Sequence, residues 1–121
     1  MIDVSASILV PSVLGAVNQI SVGPGVWLII GQYSFAFDPV NTSNVGTING
    51  YISDSLSVNY GAFTMTSDNV TGSYPAGSIY AGQIQAVVSA STTATYYFNM
   101  IGTTTDILPT VTTYLIAAKL T

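Results

Sequence analysis

The alternation of apolar and polar residues along the chain is the feature that most restricts how it can fold. The segment 23–37, GPGVWLIIGQYSFAF, places five large side chains on one face of an extended strand: Trp27, Ile29, Tyr33, Phe35 and Phe37. Similar period-two alternation recurs elsewhere, and helical spacing is nowhere sustained. The chain is therefore predicted to be all-β.

Turn-forming residues divide the chain into eight predicted strands. These strands are 2–10, 14–22, 23–37, 45–53, 60–66, 79–90, 94–102 and 111–120. Residues 67–78, SDNVTGSYPAGS, are predicted to form turns. Eight short strands separated by Gly, Pro, Asn and Ser favour a single-domain sandwich of two sheets, and the pattern alone does not separate a jelly roll from an up-and-down barrel.

The composition excludes several classes of partner. Charged residues make up 5% of the 121 residues, with one lysine and no arginine, histidine or cysteine. Ordinary soluble domains contain about 25% charged residues. Because the net charge is −4, the chain is not expected to neutralise nucleic-acid phosphates or to bind an anionic membrane.

The sequence contains no predicted membrane helix or leader. No apolar run approaches the ~20 residues of a spanning helix. The first residues, MIDVSASILVPSVLGAV, contain Asp3 and Pro11, which do not fit the basic start and unbroken apolar segment of a signal peptide. Without cysteine there is no disulfide framework.

Residues for acid-base catalysis are scarce. The candidates are five aspartates, one lysine and eight tyrosines. Four of the aspartates lie beside turn residues, where a carboxylate commonly accepts backbone hydrogen bonds: Asp38, Asp54, Asp68 and Asp106. A carboxylate pair, a calcium site or a three-carboxylate site on a threefold axis is the alternative, although no Asp-x-Asp spacing supports it. We expect no cofactor and no enzymatic activity.

Several predicted strands are apolar on both faces. They include 26–30, 84–88 and 114–118. A two-layer sandwich has only one inner face per sheet, so an apolar outer face predicts a partner. We expect that partner to be a copy of the same chain, because the interface of a closed homo-oligomer repeats by symmetry. A low charge at the centre of such an interface avoids the desolvation of buried ions.

Four segments carry a resemblance to a known family: GPGVWLIIGQYSF, GTINGYIS, TTATYYFNMIG and TYLIAAKL. Their order over about residues 14–120 resembles small bacteriophage virion proteins. Those are jelly rolls of the tumour-necrosis-factor and complement-head type, usually trimeric and without an active site. The resemblance implies a homotrimer, with these interface candidates: Val26, Leu28, Ile30, Tyr97, Leu115 and Ala117. Family members often carry an arginine in the last strand, but this chain has Lys119, so no guanidinium role is carried over.

The resemblance implies two competing roles. In the favoured one, a decoration or cement trimer assembled in the host cytoplasm binds the major capsid protein or other virion proteins on the outer capsid surface. Residues 1–12 would be an arm or edge strand ahead of a jelly-roll domain at 13–121, with these capsid-contact candidates: Ile2, Val4, Ile8 and Val10. Fibre tips normally follow a long shaft, and about a dozen residues precede the predicted sandwich.

The alternative role is a tail-fibre tip that binds a receptor or a surface glycan. Its candidate residues are three tyrosines expected in exposed loops: Tyr60, Tyr74 and Tyr80. The more conservative interpretation places tyrosines at sheet rims and subunit contacts, where an amphipathic ring is favourable. A hydrolase is the third possibility, and the scarcity of acid-base residues argues against it.

Overall fold

The computed structural model describes residues 1–54, 67–104 and 108–121. Within these ranges the chain forms eight strands. They are β1 Ile2–Leu9, β2 Gly15–Val22, β3 Gly25–Ala36, β4 Ser43–Ser53, β5 Ser67–Tyr74, β6 Ile79–Ala90, β7 Ala94–Thr104 and β8 Thr110–Lys119. The prediction of an all-β fold with eight strands is confirmed.

The strands form two four-stranded antiparallel sheets that pack as a sandwich. The first sheet has the order β1-β8-β3-β6 and the second has the order β2-β7-β4-β5. Except between β4 and β5, each strand is followed in the chain by a strand of the other sheet. This is a jelly roll, and it excludes an up-and-down barrel, in which consecutive strands would be neighbours.

Strand β3 lies inside the first sheet and pairs with β8 on one side and β6 on the other. Its alternate residues from Trp27 to Phe35 are buried in the core. Gly31 belongs to this inward face, and a Cβ atom there would lie 2.8 Å from Cε2 of Phe98 on the opposite sheet. The absence of a side chain at Gly31 therefore allows Phe98 to pack against the β3 backbone.

The beginning of β3 is fixed by contacts to the end of the chain. Gly25 has a φ of 140°, and a Cβ atom there would lie 2.7 Å from Cε of Lys119 and 2.8 Å from the carbonyl oxygen of Thr121. Only glycine adopts this backbone conformation readily. The indole Nε1 of Trp27 donates a 2.9 Å hydrogen bond to the carbonyl oxygen of Gly23, which satisfies the polar atom of this buried ring.

Strand β5 differs from the sequence prediction. Residues 67–74 were predicted to be turns, but they pair with β4 from Ser43–Tyr74 to Tyr51–Ser67. An edge strand is stabilised by backbone hydrogen bonds and needs few apolar side chains, so the alternation in SDNVTGSY is too weak to reveal it. The turn itself is confined to 75–78, where the Ser78 amide donates to the carbonyl oxygen of Pro75 at 3.0 Å. The predicted strand at 60–66 lies outside the described residues.

Asp38 caps the turn after β3, as its sequence context predicted. Its Oδ1 accepts hydrogen bonds from the amides of Val40 at 2.8 Å and Asn41 at 3.3 Å. The Val40 amide hydrogen bond is the main cause that holds the pKa of the Asp38 carboxyl below its ordinary value of 3.8. Of the other aspartates predicted to cap turns, Asp106 and the side chain of Asp68 lie outside the described residues.

In the described part of the core, the hydroxyl groups of two residues on adjacent strands lack hydrogen-bond partners. Tyr33 on β3 and Thr113 on β8 are register neighbours, and both are buried. Among the described residues, neither the Tyr33 hydroxyl nor Oγ1 of Thr113 has a hydrogen-bond partner. Each such group loses its hydration on folding without replacement, which lowers stability.

We predict that Thr113→Val raises the free energy of unfolding by about 1 kcal/mol, because valine keeps the shape of the side chain and removes the unpaired hydroxyl. Urea denaturation followed by the fluorescence of the single tryptophan, Trp27, measures the change at fixed protein concentration. Thr95→Val is the control, since that hydroxyl pairs with Ser21 on the exposed surface at 2.8 Å. A Thr113→Val protein less stable than wild type contradicts the prediction.

The turn at Asp38 predicts a defined dependence of stability on pH. Its folded-state pKa is lowered, so the carboxylate stabilises the fold above the unfolded-state pKa of ~3.9 and loses this effect as the pH falls through the folded-state pKa. NMR titration of Asp38 in the folded protein should give a midpoint below 3.8. The difference in the free energy of unfolding between wild type and Asp38→Asn should shrink on acidification. An NMR titration midpoint of Asp38 at or above its ordinary pKa contradicts the prediction.

Candidate interaction face

The outer face of the first sheet is the most distinctive surface of the described chain. The strand register arranges its outward side chains in rows that cross the sheet, each row about 7 Å from the next. Towards the end of β8, neighbouring rows contain a continuous group of apolar residues, here called the apolar zone: Val26, Leu28, Ile30, Val87, Ile116, Ala118 and Leu120.

The apolar zone is not covered by the described part of the chain. Val87 is 51% exposed and Leu120 is 52% exposed, and the other five residues are partly exposed. Leu28 lies at its centre, with Val87 and Ala118 as neighbours on either side. Asp3, on the edge strand β1, is the only charged residue among the outward-facing residues of these four strands, all of which the structure describes. A contiguous uncharged patch of this kind is typical of an interaction surface.

The structure separates the six residues predicted for a trimer interface. Val26, Leu28 and Ile30 face outward in the apolar zone. Tyr97 faces outward from the second sheet, on the opposite side of the sandwich, where it pairs with Gln19 and Ser53. The six therefore do not form one surface.

The assignment of Leu115 and Ala117 to an interface has to be corrected. Leu115 is 1% exposed and Ala117 is 0% exposed, and both belong to the core. The run YLIAA is apolar on both faces, so alternation alone does not say which residues point outward. Their neighbours Ile116 and Ala118 are the outward ones. The pairing of β8 with β3 shows which residues of β8 face the core, because Ala117 pairs with Ile29, which faces inward.

The capsid-contact candidates lie on and beside the edge strand β1. This strand pairs with β8 along its whole length, from Ile2–Ala117 to Leu9–Thr110. Ile2 and Val4 are partly buried and pack against the core, and Ile8 is 46% exposed. The prediction of Val10 as a surface contact is wrong, because its side chain is 1% exposed and belongs to the core.

Two of the tyrosines predicted for exposed loops lie in strands. Tyr74 ends β5 and stacks on Phe37 with ring centroids 4.3 Å apart and an interplanar angle of 3°. Tyr80 lies in β6 and stacks on Phe35 at 6.4 Å. Both are partly buried, and burial is the main cause that raises the pKa of Tyr74. The expectation of exposed loops is therefore wrong for Tyr74 and Tyr80, and Tyr60 lies outside the described residues.

Beyond the apolar zone, the same sheet face carries a shallow groove with a volume of about 440 Å³. It is here called the polar groove and is lined by these residues: Gln32, Tyr33, Ser34, Ala81, Gly82, Gln83, Thr112 and Tyr114. Its side chains are amides, hydroxyls and small apolar groups. The polar groove can form hydrogen bonds with a ligand, but the described residues that line it include neither a charged group nor a nucleophile activated by a neighbouring base.

Charged and metal-binding groups do not cluster in the described residues. No group of three or more His, Cys, Asp or Glu side chains lies close enough to hold a metal ion in that part of the chain. The Nζ atom of Lys119 lies 5.9 Å from the centre of the Trp27 ring, in the range of a cation–π contact. In the described ranges, the search for a helix long and apolar enough to cross a membrane finds none.

Comparisons with known proteins find a similar solved structure but no matching family. No family model matches the chain, and no curated protein sequence matches it. A solved structure described as "Structure of infectious bursal disease virus Gt strain" is similar to it, with a TM-score of 0.47 and 8% sequence identity. The match covers 98% of this chain and 30% of that one, so this chain spans less than a third of its neighbour's length.

Proposed function

We propose that this protein is a non-enzymatic structural component of a virion. Copies assemble as a homotrimer through the apolar zone, and the trimer binds the outside of a bacteriophage capsid as a decoration or cement protein. The observation that carries the proposal is an uncharged apolar zone on the outer face of a jelly roll that already has a full core. The trimeric state and the phage capsid come from the family resemblance in the sequence.

A second copy of the chain is the partner that fits the apolar zone best. Its surface consists of aliphatic side chains on three adjacent strands, with Leu28 at the centre. Removing such a surface from water is favourable, and no charge has to be desolvated at its centre. Because every copy carries the same zone, a closed ring of copies would cover all of them at once.

Capsid binding is assigned to the end of the sandwich at the β1–β2 connection. Large apolar residues are exposed there, with Ile8 at 46%, Leu9 at 56% and Val13 at 76%. Asn18 of β2 ties this edge to the first sheet, since its Nδ2 donates to the carbonyl oxygen of Val4 at 3.1 Å. Three such contacts on a rigid trimer would act together, so individually weak contacts would add up to stable attachment.

A tail-fibre tip that binds a receptor or a glycan is the second candidate. The polar groove favours it, because neutral hydrogen-bonding side chains line a concave surface there. The two candidates differ in where the protein lies on a particle and agree on assembly through the apolar zone.

We predict that Leu28→Asp weakens self-association by roughly 100-fold or more, because the new carboxylate would be buried without a partner in the interface. Sedimentation velocity over a dilution series measures the association, and circular dichroism establishes that the variant is folded. Gln19→Asp is the matched control, since Gln19 is exposed on the outer face of the second sheet.

The experiment also decides between the two faces of the sandwich. Tyr97→Asp places the same charge on the second sheet and should leave association unchanged. If Tyr97→Asp dissociates the oligomer and Leu28→Asp leaves it fully associated, the interface lies on the second sheet. A wild-type protein that stays monomeric at micromolar concentration contradicts assembly altogether.

The virion role predicts that the protein is found on intact particles. Cryo-electron microscopy of particles from the source of this gene should show symmetric knobs over the shell, and deletion of the gene should lower the temperature at which capsids release their contents. Density restricted to the tail would support the fibre tip and contradict the cement role. Particles without the protein contradict both.

A further inference from the structure

The register of the first sheet explains how a nearly flat sheet face can contain a groove. One outward row consists of the long side chains of Tyr114, Gln32 and Gln83, which are direct neighbours on β8, β3 and β6. The next row consists of the short side chains of Thr112, Ser34 and Ala81. The short row forms the floor of the polar groove, and the long row forms one wall.

On its other side the groove is open, because the residues that line it do not include the next row of the sheet. The row beyond the floor contains Thr110, Ala36 and Ile79, and Ile79 is 73% exposed. A groove that is open on one side and has a volume of about 440 Å³ can hold a sugar ring or a short oligosaccharide.

The side chains of the groove match the chemistry of an uncharged saccharide. Gln32 and Gln83 each provide an amide that can donate and accept hydrogen bonds, and Ser34 and Thr112 provide hydroxyls. Tyr114 is 46% exposed, so part of its ring is available for stacking. None of the described residues that line the groove is charged, so they offer an anionic ligand no counter-ion.

We propose that the polar groove binds a neutral saccharide. A sugar ring lies over the floor formed by Thr112, Ser34 and Ala81, its apolar side against the Tyr114 ring. The amides of Gln32 and Gln83 hydrogen-bond to its hydroxyl groups. This inference rests on the second candidate of the proposed function, the glycan-binding tip, and deepens it by naming the site and the class of ligand; it does not depend on the cement role or on assembly through the apolar zone.

The test uses the full-length protein and an array of immobilised glycans that contains neutral oligosaccharides together with sialylated and sulphated ones. We expect binding to neutral members, followed by isothermal titration with the best of them in solution. Tyr114→Ala and Gln32→Ala should each weaken binding by about tenfold, through loss of stacking or of hydrogen bonds. Gln19→Ala, on the opposite outer face, is the matched control and should bind like wild type.

A variant that fills the groove provides an independent test. Ala81 is exposed on the floor, so Ala81→Leu should abolish saccharide binding and leave the fold and thermal stability unchanged. The Leu28→Asp variant should still bind the saccharide, because the mutation lies in the apolar zone. This separates a failure of the groove from a failure of the assembly.

Three outcomes overturn the proposal. The first is an array on which no neutral glycan is bound. The second is binding that Tyr114→Ala, Gln32→Ala and Ala81→Leu all leave unchanged. The third combines two results: the wild-type protein binds no saccharide, and Tyr114→Ala or Ala81→Leu dissociates the oligomer. The groove would then be part of the contact between copies.

Discussion

The register of β3 within the first sheet is the constraint on which the rest of the structure depends. Pairing with β8 and β6 fixes which of its residues face the core and which face outward. A slip of one residue would exchange the two faces and bring Gln32 and Ser34 into the core. The close approach of Phe98 to Gly31 opposes such a slip, because the residues on either side of Gly31 are Ile30 and Gln32, whose side chains would collide with the Phe98 ring.

Period-two alternation was sufficient to predict the strands that have one apolar face. It predicted the second half of β3 and the strand β7 well. In β7, Tyr96, Phe98 and Met100 alternate with more polar neighbours and are all buried. It was insufficient in two situations. Where a strand is apolar on both faces, as in β8, alternation does not distinguish inward from outward, and Leu115 and Ala117 were assigned to the wrong face. Where a strand is mostly polar, as in β5, the alternation is too weak to detect.

The candidate site was harder to predict than the fold, because it depends on which residues of different strands become neighbours. Tyr114, Gln32 and Gln83 are far apart in the sequence, and only the pairing of β8, β3 and β6 places them in one row. Conversely, Tyr74 and Tyr80 are close in the sequence and in space, and their rings contribute to packing with Phe37 and Phe35. The chemical type of a residue was therefore a poor guide to its role until the register was known.

The low charge of the chain has different consequences at the two ends of the same sheet face. At the apolar zone it makes burial favourable, since water is removed from aliphatic groups and no ion loses its hydration. At the polar groove, amides and hydroxyls keep the surface hydrated without creating a long-range field. A neutral ligand would therefore be recognised there by short-range hydrogen bonds and ring contacts, whose strength depends little on ionic strength. Because side chains in successive rows point the same way, the change in composition along β3, from Val26, Leu28 and Ile30 to Gln32 and Ser34, separates the two surfaces. The neighbouring strand β8 changes in the same direction, from Ala118 and Ile116 to Tyr114 and Thr112.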